Sequence, residues 1–203
     1  LTPGNKILYE IYKDKDGKLW VSAFDVESFI IDIRDYIVQK YPLPDLRNQL
    51  KANPAINSLC KDEDGIFWFS QDRYGLCIYD SRKEKLKHYS QCQGTRNLPF
   101  GDVTNIARSY NHNWIWATSY GPTVFGLSQQ NMEMKEDVRI ELGNVTNNPG
   151  LITSLFEDPQ NNLWIGTTTG LFVYRIMSAT LESIPEVSGP VAGITQTADS
   201  RIW

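Results

Sequence analysis

Two acidic turns are the first candidates for chemistry in this chain. Residues 14–17 are Asp-Lys-Asp-Gly and residues 62–65 are Asp-Glu-Asp-Gly. Both segments resemble the start of a calcium-binding loop. Such a loop closes with a bidentate glutamate at its twelfth position. The twelfth residues here are Asp25 and Arg73. We therefore favour the alternative, a β-hairpin whose glycine takes the left-handed conformation, and expect no metal site.

The histidines and cysteines do not form a recognisable catalytic set. His88 falls in a predicted strand and His112 in a predicted turn, whereas a hydrolytic triad needs three converging groups. Cys60, Cys77 and Cys92 show neither CxxC spacing nor a histidine pair, and the sequence leaves open whether any of them are paired. We expect no catalytic residue and no cofactor. A lyase that uses a histidine–glutamate pair is the alternative enzyme.

Aromatic and planar polar side chains in predicted loops offer a third kind of chemistry, which is sugar binding. A sugar ring can lie on an aromatic plane, and planar side chains can make paired hydrogen bonds to its hydroxyls. The loop residues that could form such a site are Arg73, Tyr74, Arg96, Asn97, Phe100 and Tyr120. Because each arginine can pair with a carboxylate or sulfate, we expect a preference for acidic sugars. The alternative is that these are ordinary polar loops.

A repeated segment must position these loops. Tryptophan occurs at positions 20, 68, 116 and 164, each 48 residues after the last, and again at 203. In the copy at 152–174, an alternating strand precedes a turn rich in Asp, Pro and Asn, a second strand carries Trp164, and Gly170 opens a third strand. The left-handed turn position that Gly17 holds is taken by asparagine or serine in other copies, at Asn113, Asn161 and Ser200. Equal spacing of this kind predicts a repeat protein.

Four short antiparallel strands per repeat predict an all-β fold, a β-propeller built of four-stranded blades. The predicted blades are residues 6–41, 55–91, 103–141 and 151–185, with a partial fifth at 191–203. This pattern predicts an open fragment of a larger propeller, and we expect self-association through an uncovered blade face.

The repeat tryptophans are predicted to pack between blades. We expect Trp68 and Trp164 to be buried. The first hairpin of the third repeat is one residue longer than that of the fourth, so Trp114 should be more exposed than Trp164.

Composition limits the class of partner. The net charge is −4, the pI is about 5.2, and the lysines and arginines are scattered, so we expect no nucleic-acid binding by this chain. No run approaches the roughly 18 apolar residues of a membrane span, and we expect no membrane contact by this part of the protein.

The unit Asp-x-x-Gly-x-Leu-Trp-Ile-Gly-Thr-x-x-Gly-Leu, approximated at 161–171 and 62–76, resembles the two-component regulator propeller repeat. That repeat is typical of periplasmic sensor regions of hybrid two-component systems in Bacteroides-type bacteria. The departures are Glu-Ser-Phe at 27–29 and Gly-Pro-Thr-Val at 121–124, where the late Gly-Leu is missing.

The resemblance implies a function. It implies that the chain is a periplasmic, ligand-sensing part of an inner-membrane sensor histidine kinase, with kinase, receiver and DNA-binding domains outside these 203 residues. It also implies an oligosaccharide ligand and a signal passed by non-covalent conformational change. A lyase-type propeller enzyme and a non-catalytic interaction scaffold are the alternatives.

Overall fold

The computed structural model of the chain describes residues 8–14, 16–23, 29–40, 56–62, 64–71, 75–80, 82–89, 103–112, 114–130 and 133–203. These residues form four antiparallel sheets of four strands each, and in every sheet the strands are hydrogen-bonded in chain order. The predicted all-β architecture of four-stranded propeller blades is therefore confirmed. None of the described residues belongs to a helix long and apolar enough to span a membrane.

The chain divides into two compact units, the first of which holds the first two blades. The strands of the first blade are β1 (Leu8–Lys13), β2 (Lys18–Ala23), β3 (Phe29–Asp32) and β4 (Ile37–Lys40). Those of the second are β5 (Ile56–Lys61), β6 (Ile66–Gln71), β7 (Gly75–Asp80) and β8 (Lys85–Tyr89).

The second unit holds the third and fourth blades. The third consists of β9 (Asn105–Arg108), β10 (Trp114–Thr118), β11 (Thr123–Gln130) and β12 (Glu133–Glu141). A 3-10 turn, Leu142–Asn144, follows it. The fourth blade consists of β13 (Ile152–Glu157), β14 (Asn162–Thr167), β15 (Gly170–Arg175) and β16 (Thr180–Ser188).

A short hairpin after β16 is the predicted start of a fifth blade. Gln196 and Ile202 form an antiparallel bridge, and the backbone groups of Thr195 and Trp203 exchange two hydrogen bonds of 2.9 Å. The turn of this hairpin contains Ser200 at φ 65°.

The predicted left-handed turns are confirmed at the described repeat positions. Gly17 and Gly65 both have φ 78°, Asn161 has φ 63°, and Ser200 takes the same conformation. Asn113, predicted to share this role, lies outside the described residues. Glycine and asparagine tolerate this backbone better than most residues, which explains their place in the turn.

The repeat tryptophan of one blade packs against the next blade within each unit. The Trp20 ring lies 4.7 Å from that of Phe67, centroid to centroid, and both belong to one buried cluster with Phe69. In the second unit Trp116 is 0% exposed and packs in a cluster that includes Leu163 of β14. The indole therefore joins consecutive blades.

The prediction that Trp164 is buried is wrong, while Trp68 is buried as expected and Trp114 is more exposed than Trp68. Trp164 is only half-buried, whereas Trp116, at the same position of the preceding repeat, is fully buried. Trp114 is half-buried as well, because it stacks on His112 at 4.4 Å and meets Trp116 edge-on at 5.3 Å. Trp203 is 69% exposed.

The longer first hairpin of the third blade is confirmed. In the other three blades the turn closes with a backbone hydrogen bond across four positions, as from Asp158 N to Asn162 O at 2.9 Å. In the third blade the bond spans five positions, from Ser109 N to Trp114 O at 3.1 Å. Trp116 nevertheless keeps the repeat position, opposite Ala107 and Gly126.

Candidate functional site

Strand β10 separates two exposed tyrosines at opposite ends of the third blade. Tyr110 lies in the turn before the strand and is 64% exposed, whereas Tyr120 lies in the bend after it and is 61% exposed. We name the side of Tyr120, with residues 119–122, 143–151 and 168–169, the loop end. The opposite side, with residues 109–112 and 158–161, is the hairpin end.

The bend that carries Tyr120 is held by short-range hydrogen bonds. Gly121 N donates to Ser119 Oγ at 3.4 Å, and Leu142 N donates to Pro122 O at 3.0 Å. The second bond joins this bend to the 3-10 turn that starts the connection to the fourth blade. Tyr120 is thus presented on a braced segment with its ring in solvent.

The connection between the third and fourth blades, residues 143–151, is pinned to the loop between β14 and β15. Leu151 and Thr168 exchange two bonds, with Leu151 N donating to Thr168 Oγ1 at 3.0 Å and Thr168 N donating to Leu151 O at 2.9 Å. Thr169 Oγ1 donates to Asn148 O at 3.2 Å. Gly150 has φ 71°, and a Cβ there would come within 2.5 Å of Thr168 Oγ1. Two consecutive blades therefore share one braced surface.

The exposed groups at this loop end are neutral. The connection presents the side chains of Asn144, Asn147 and Asn148, and no charged residue occurs in segments 119–122, 143–151 or 168–169. Amides both donate and accept hydrogen bonds, and an exposed phenol ring offers a flat apolar face. This set suits non-covalent binding of a polyhydroxylated ligand.

The structure places one of the six predicted ligand residues. Tyr120 is exposed at the loop end, as its position between β10 and β11 requires. Arg73, Tyr74, Arg96, Asn97 and Phe100 lie outside the described residues, so their convergence stays a prediction. Sequence reasoning missed the three asparagines of 143–151, although interblade connections were expected to line a ligand face.

At the hairpin end the repeat aspartates orient the repeat tryptophans. Asp158 Oδ2 accepts the indole N–H of Trp164 at 2.9 Å, while its Oδ1 accepts the backbone N–H groups of Gln160 and Asn162, each at 2.9 Å. Asp14 accepts from Lys18 N and Trp20 Nε1 at 2.9 and 2.8 Å. These carboxylates serve the hairpin, which accounts for the acidic turn without a calcium ion.

At this repeat position the pKa values of Asp158 and Asp62 are shifted in opposite directions. Burial would raise the pKa of Asp158, but the hydrogen bonds from Asn162, Trp164 and the turn outweigh it and the pKa is lowered. Burial dominates at Asp62 and raises its pKa, although Ile66 N donates to it at 2.8 Å. Trp68 Nε1 reaches no acceptor in hydrogen-bonding geometry. Trp68 still acts to lower the pKa of Asp62, but its indole lacks the well-formed hydrogen bond that Trp164 makes to Asp158.

The third blade obtains its carboxylate from the fourth. Ser109 stands where the first, second and fourth blades have aspartate, and the indole N–H of Trp116 donates instead to Glu157 Oε2 at 2.5 Å. Glu157, the last residue of β13, is 5% exposed. A buried carboxylate of one blade thus caps the turn of its neighbour.

Both histidines and two of the three cysteines lie in the part of the chain that the structure describes. His88 lies in β8 opposite Cys77 of β7, and burial raises the pKa of the Cys77 thiol. The same described ranges contain no group of three His, Cys, Asp or Glu residues that could hold a metal ion. Cys92 lies outside them.

Comparison with known proteins identifies the repeat. Residues 148–169 match the two-component regulator propeller family. This segment is similar to a single repeat of that family. It contains β13, the Asp158 turn and β14 with Trp164, and its two ends belong to the loop end. No curated protein matches the chain.

Solved structures share the propeller fold. The extracellular domain described as part of the hybrid two-component system BT3049 from B. thetaiotaomicron is 22% identical, with a TM-score of 0.69 over 96% of this chain. That of BT4673 from the same organism is 18% identical, with a TM-score of 0.67 over 97%. In both cases this chain spans 26% of the solved chain.

A propeller of a different kind is equally similar in shape. The β-propeller domain of Cps50 (Swd1) from Myceliophteria thermophila has a TM-score of 0.69 at 11% identity, and 95% of this chain covers 64% of it. At these identities the structural likeness shows the fold alone. The match of residues 148–169 to the two-component regulator propeller family adds a similarity in sequence to this shared fold.

Proposed function

We propose that this chain is a ligand-sensing propeller region from the extracytoplasmic part of a hybrid two-component sensor. The observation that carries the proposal is the regulator propeller repeat at 148–169. Its first residues, 148–151, and its last, Thr168 and Thr169, brace the loop end, which also carries Tyr120. The solved domains of BT3049 and BT4673, described as extracellular parts of hybrid two-component systems, support the location.

The ligand is an oligosaccharide that binds without covalent chemistry. Sugars present hydroxyl pairs around a ring with an apolar face, and the loop end offers neutral amides, threonine hydroxyls and the exposed ring of Tyr120. Water-exposed hydrogen bonds contribute little net free energy each, so several must act together. The aromatic contact supplies the apolar burial that such bonds lack.

Signalling follows from a change in the balance between conformations. A ligand that contacts Tyr120 on the third blade and the connection pinned to the fourth favours the arrangement in which both contacts form. It can shift the equilibrium only by its difference in affinity for the two arrangements. The histidine kinase that reads this shift belongs to the rest of the protein.

A screen of the chain against oligosaccharides tests this proposal and separates it from the alternatives. The purified protein is heated with neutral and acidic oligosaccharides, and its melting temperature is recorded. We expect one structural class of sugar to raise the melting temperature and to be recovered unchanged by mass spectrometry. Recovery of cleaved, unsaturated sugar would identify a lyase, and no shift with any sugar would favour a protein-binding scaffold.

Two further expectations belong to this proposal. A preference for acidic sugars rests on Arg73 and Arg96, and a sulfated or uronate-containing sugar should then bind more tightly than its neutral analogue. Self-association is the second, and sedimentation velocity of the purified chain at several concentrations measures it. A species of constant monomer mass would remove that expectation.

A further inference from the structure

Glu157 makes an unusually complete set of contacts across two blades. Its Oε1 accepts hydrogen bonds from Ser109 Oγ at 3.0 Å and Tyr110 N at 3.1 Å, with Asn111 N at 3.4 Å. Its Oε2 accepts the indole N–H of Trp116. All four donors belong to the third blade or its turn, whereas Glu157 ends the first strand of the fourth. One buried side chain therefore joins the hairpin ends of both blades.

The sequence of the third hairpin explains why this carboxylate is needed. In the first and fourth blades an aspartate of the same hairpin, Asp14 or Asp158, accepts the indole N–H. The third hairpin has Ser109 at that position, and a hydroxyl cannot replace a carboxylate that accepts from several donors at once. The missing negative charge is supplied from the next blade.

The equivalent position in the second blade carries the opposite charge. Lys61 ends β5 as Glu157 ends β13, and the blade before it already has its own carboxylate, Asp14. Lys61 Nζ lies 5.9 Å from the centre of the Trp20 ring and 3.8 Å from Asp16 Oδ2. The residue at this position is therefore acidic where the preceding hairpin lacks a carboxylate, and basic where that hairpin has one.

The contact at the hairpin end is connected to the loop end by strands β10 and β14. Trp116 and Tyr120 are joined by the end of β10, and Glu157 is followed by the turn into β14, which ends at the Thr168 loop. Asn111 adds exposed contacts across the same junction, from Nδ2 to Asn161 Oδ1 at 2.9 Å and to Pro159 O at 3.2 Å. Hydrogen-bonded sheets move as units, so an anchor at one end constrains the other.

We propose that Glu157 is a positioning residue that fixes the third blade on the fourth and so holds the loop end in shape. Its consequence for a ligand rests on the proposed function. The coupling between the hairpin end and the loop end does not depend on that function, and amide hydrogen exchange can measure this coupling without a ligand. The exchange result therefore stands even where no sugar is found to bind.

The experiment compares the wild type with Glu157→Gln by hydrogen exchange of individual amides. The lost charge should speed exchange at Tyr110 and Asn111, and at the loop end it should speed exchange of Leu151 and Thr168 by about tenfold or more. The amides of β15 and β16 serve as an internal reference and should keep their wild-type rates. Glu182→Gln, which removes the exposed partner of Arg175, is the matched control and should change neither end.

A second variant tests whether the loop end depends on Glu157 itself or only on an acceptor for the indole N–H of Trp116. Ser109→Asp combined with Glu157→Gln returns a carboxylate to the third hairpin, where Asp14 and Asp158 stand in theirs. It should restore the wild-type fluorescence of Trp116 while Leu151 and Thr168 stay fast. Wild-type exchange at Leu151 and Thr168 in Glu157→Gln would overturn the proposal, as would equal acceleration in β15 and β16. If Glu157→Gln does not fold, Glu157→Asp, which withdraws the carboxylate by one methylene, is judged by the same amides.

Discussion

Asp158 Oδ2 accepts the indole N–H of Trp164 at 2.9 Å, six residues further along the chain. Asp14 and Trp20, also six residues apart, form the same bond at 2.8 Å. The carboxylate thereby holds a bulky ring in one orientation while its other oxygen closes the turn. The aspartate and the tryptophan of the repeat act as one structural unit.

The first prediction is that Asp158→Asn destabilises the protein in a pH-dependent way. At neutral pH the loss of a buried, charged acceptor should cost about 1–3 kcal/mol in the free energy of unfolding. The folded-state pKa of Asp158 is lowered, so its carboxylate stabilises the fold above the ordinary aspartate pKa near 4 and this is lost as the pH falls through the lowered value. Urea unfolding at a series of pH values measures the difference.

Asp62→Asn should show the opposite trend. Burial raises the folded-state pKa of Asp62, so its contribution is largest below the ordinary pKa and declines as the pH rises through the raised value. Wild type should therefore gain stability relative to Asp62→Asn on acidification, and lose it relative to Asp158→Asn. Parallel pH profiles for the two variants would contradict this account of the turns.

The second prediction contrasts two tryptophans at the same repeat position. Trp116→Ala removes a fully buried ring and should cost about 3–5 kcal/mol. Trp164→Ala should cost only about 1–2 kcal/mol, because part of that ring is already in water in the wild type. Denaturant unfolding of both variants gives the two values. Equal losses would contradict the difference in burial between the two rings.

The third prediction concerns the glycine two positions after the repeat tryptophan. A Cβ at Gly166 would collide with Ser154 Oγ and come within 2.7 Å of Val191 Cγ1. Gly166→Ala should therefore cost about 1–3 kcal/mol through overpacking. Gly193→Ala is the matched control, since nothing lies within 4 Å of its added Cβ. Thermal unfolding should show a lower midpoint for Gly166→Ala alone.

Much of the fold could be predicted because each repeat specifies its own strands and turns through residues that are close together in the sequence. The spacing of Trp20, Trp68, Trp116 and Trp164 and the turn residues Gly17, Gly65 and Asn161 specify strand number, pairing and turn conformation from neighbouring residues. The small residue after the tryptophan, at Gly166, is also explained by close approach of another segment.

Contacts between repeats were harder to predict. The role of Glu157 depends on what Ser109 lacks, 48 residues earlier, and a single repeat shows no sign of it. The half-burial of Trp164 was not predicted, because a single repeat does not show which residues of other segments cover its indole ring. The loop end was only partly predicted, because the asparagines of 143–151 lie in a connection whose course is set by Thr168 and Gly150.

The central claim, that the loop end binds a sugar, is tested most directly by calorimetric titration of three proteins. A sugar selected by the thermal screen is titrated into the wild type, Tyr120→Ala and Tyr110→Ala. The two tyrosines are similarly exposed on the third blade but lie at opposite ends of β10. We predict at least tenfold weaker binding for Tyr120→Ala, equal to about 1.4 kcal/mol, with an unchanged melting temperature, and wild-type binding for Tyr110→Ala. Unchanged affinity in Tyr120→Ala, or a loss confined to Tyr110→Ala, would contradict the claim.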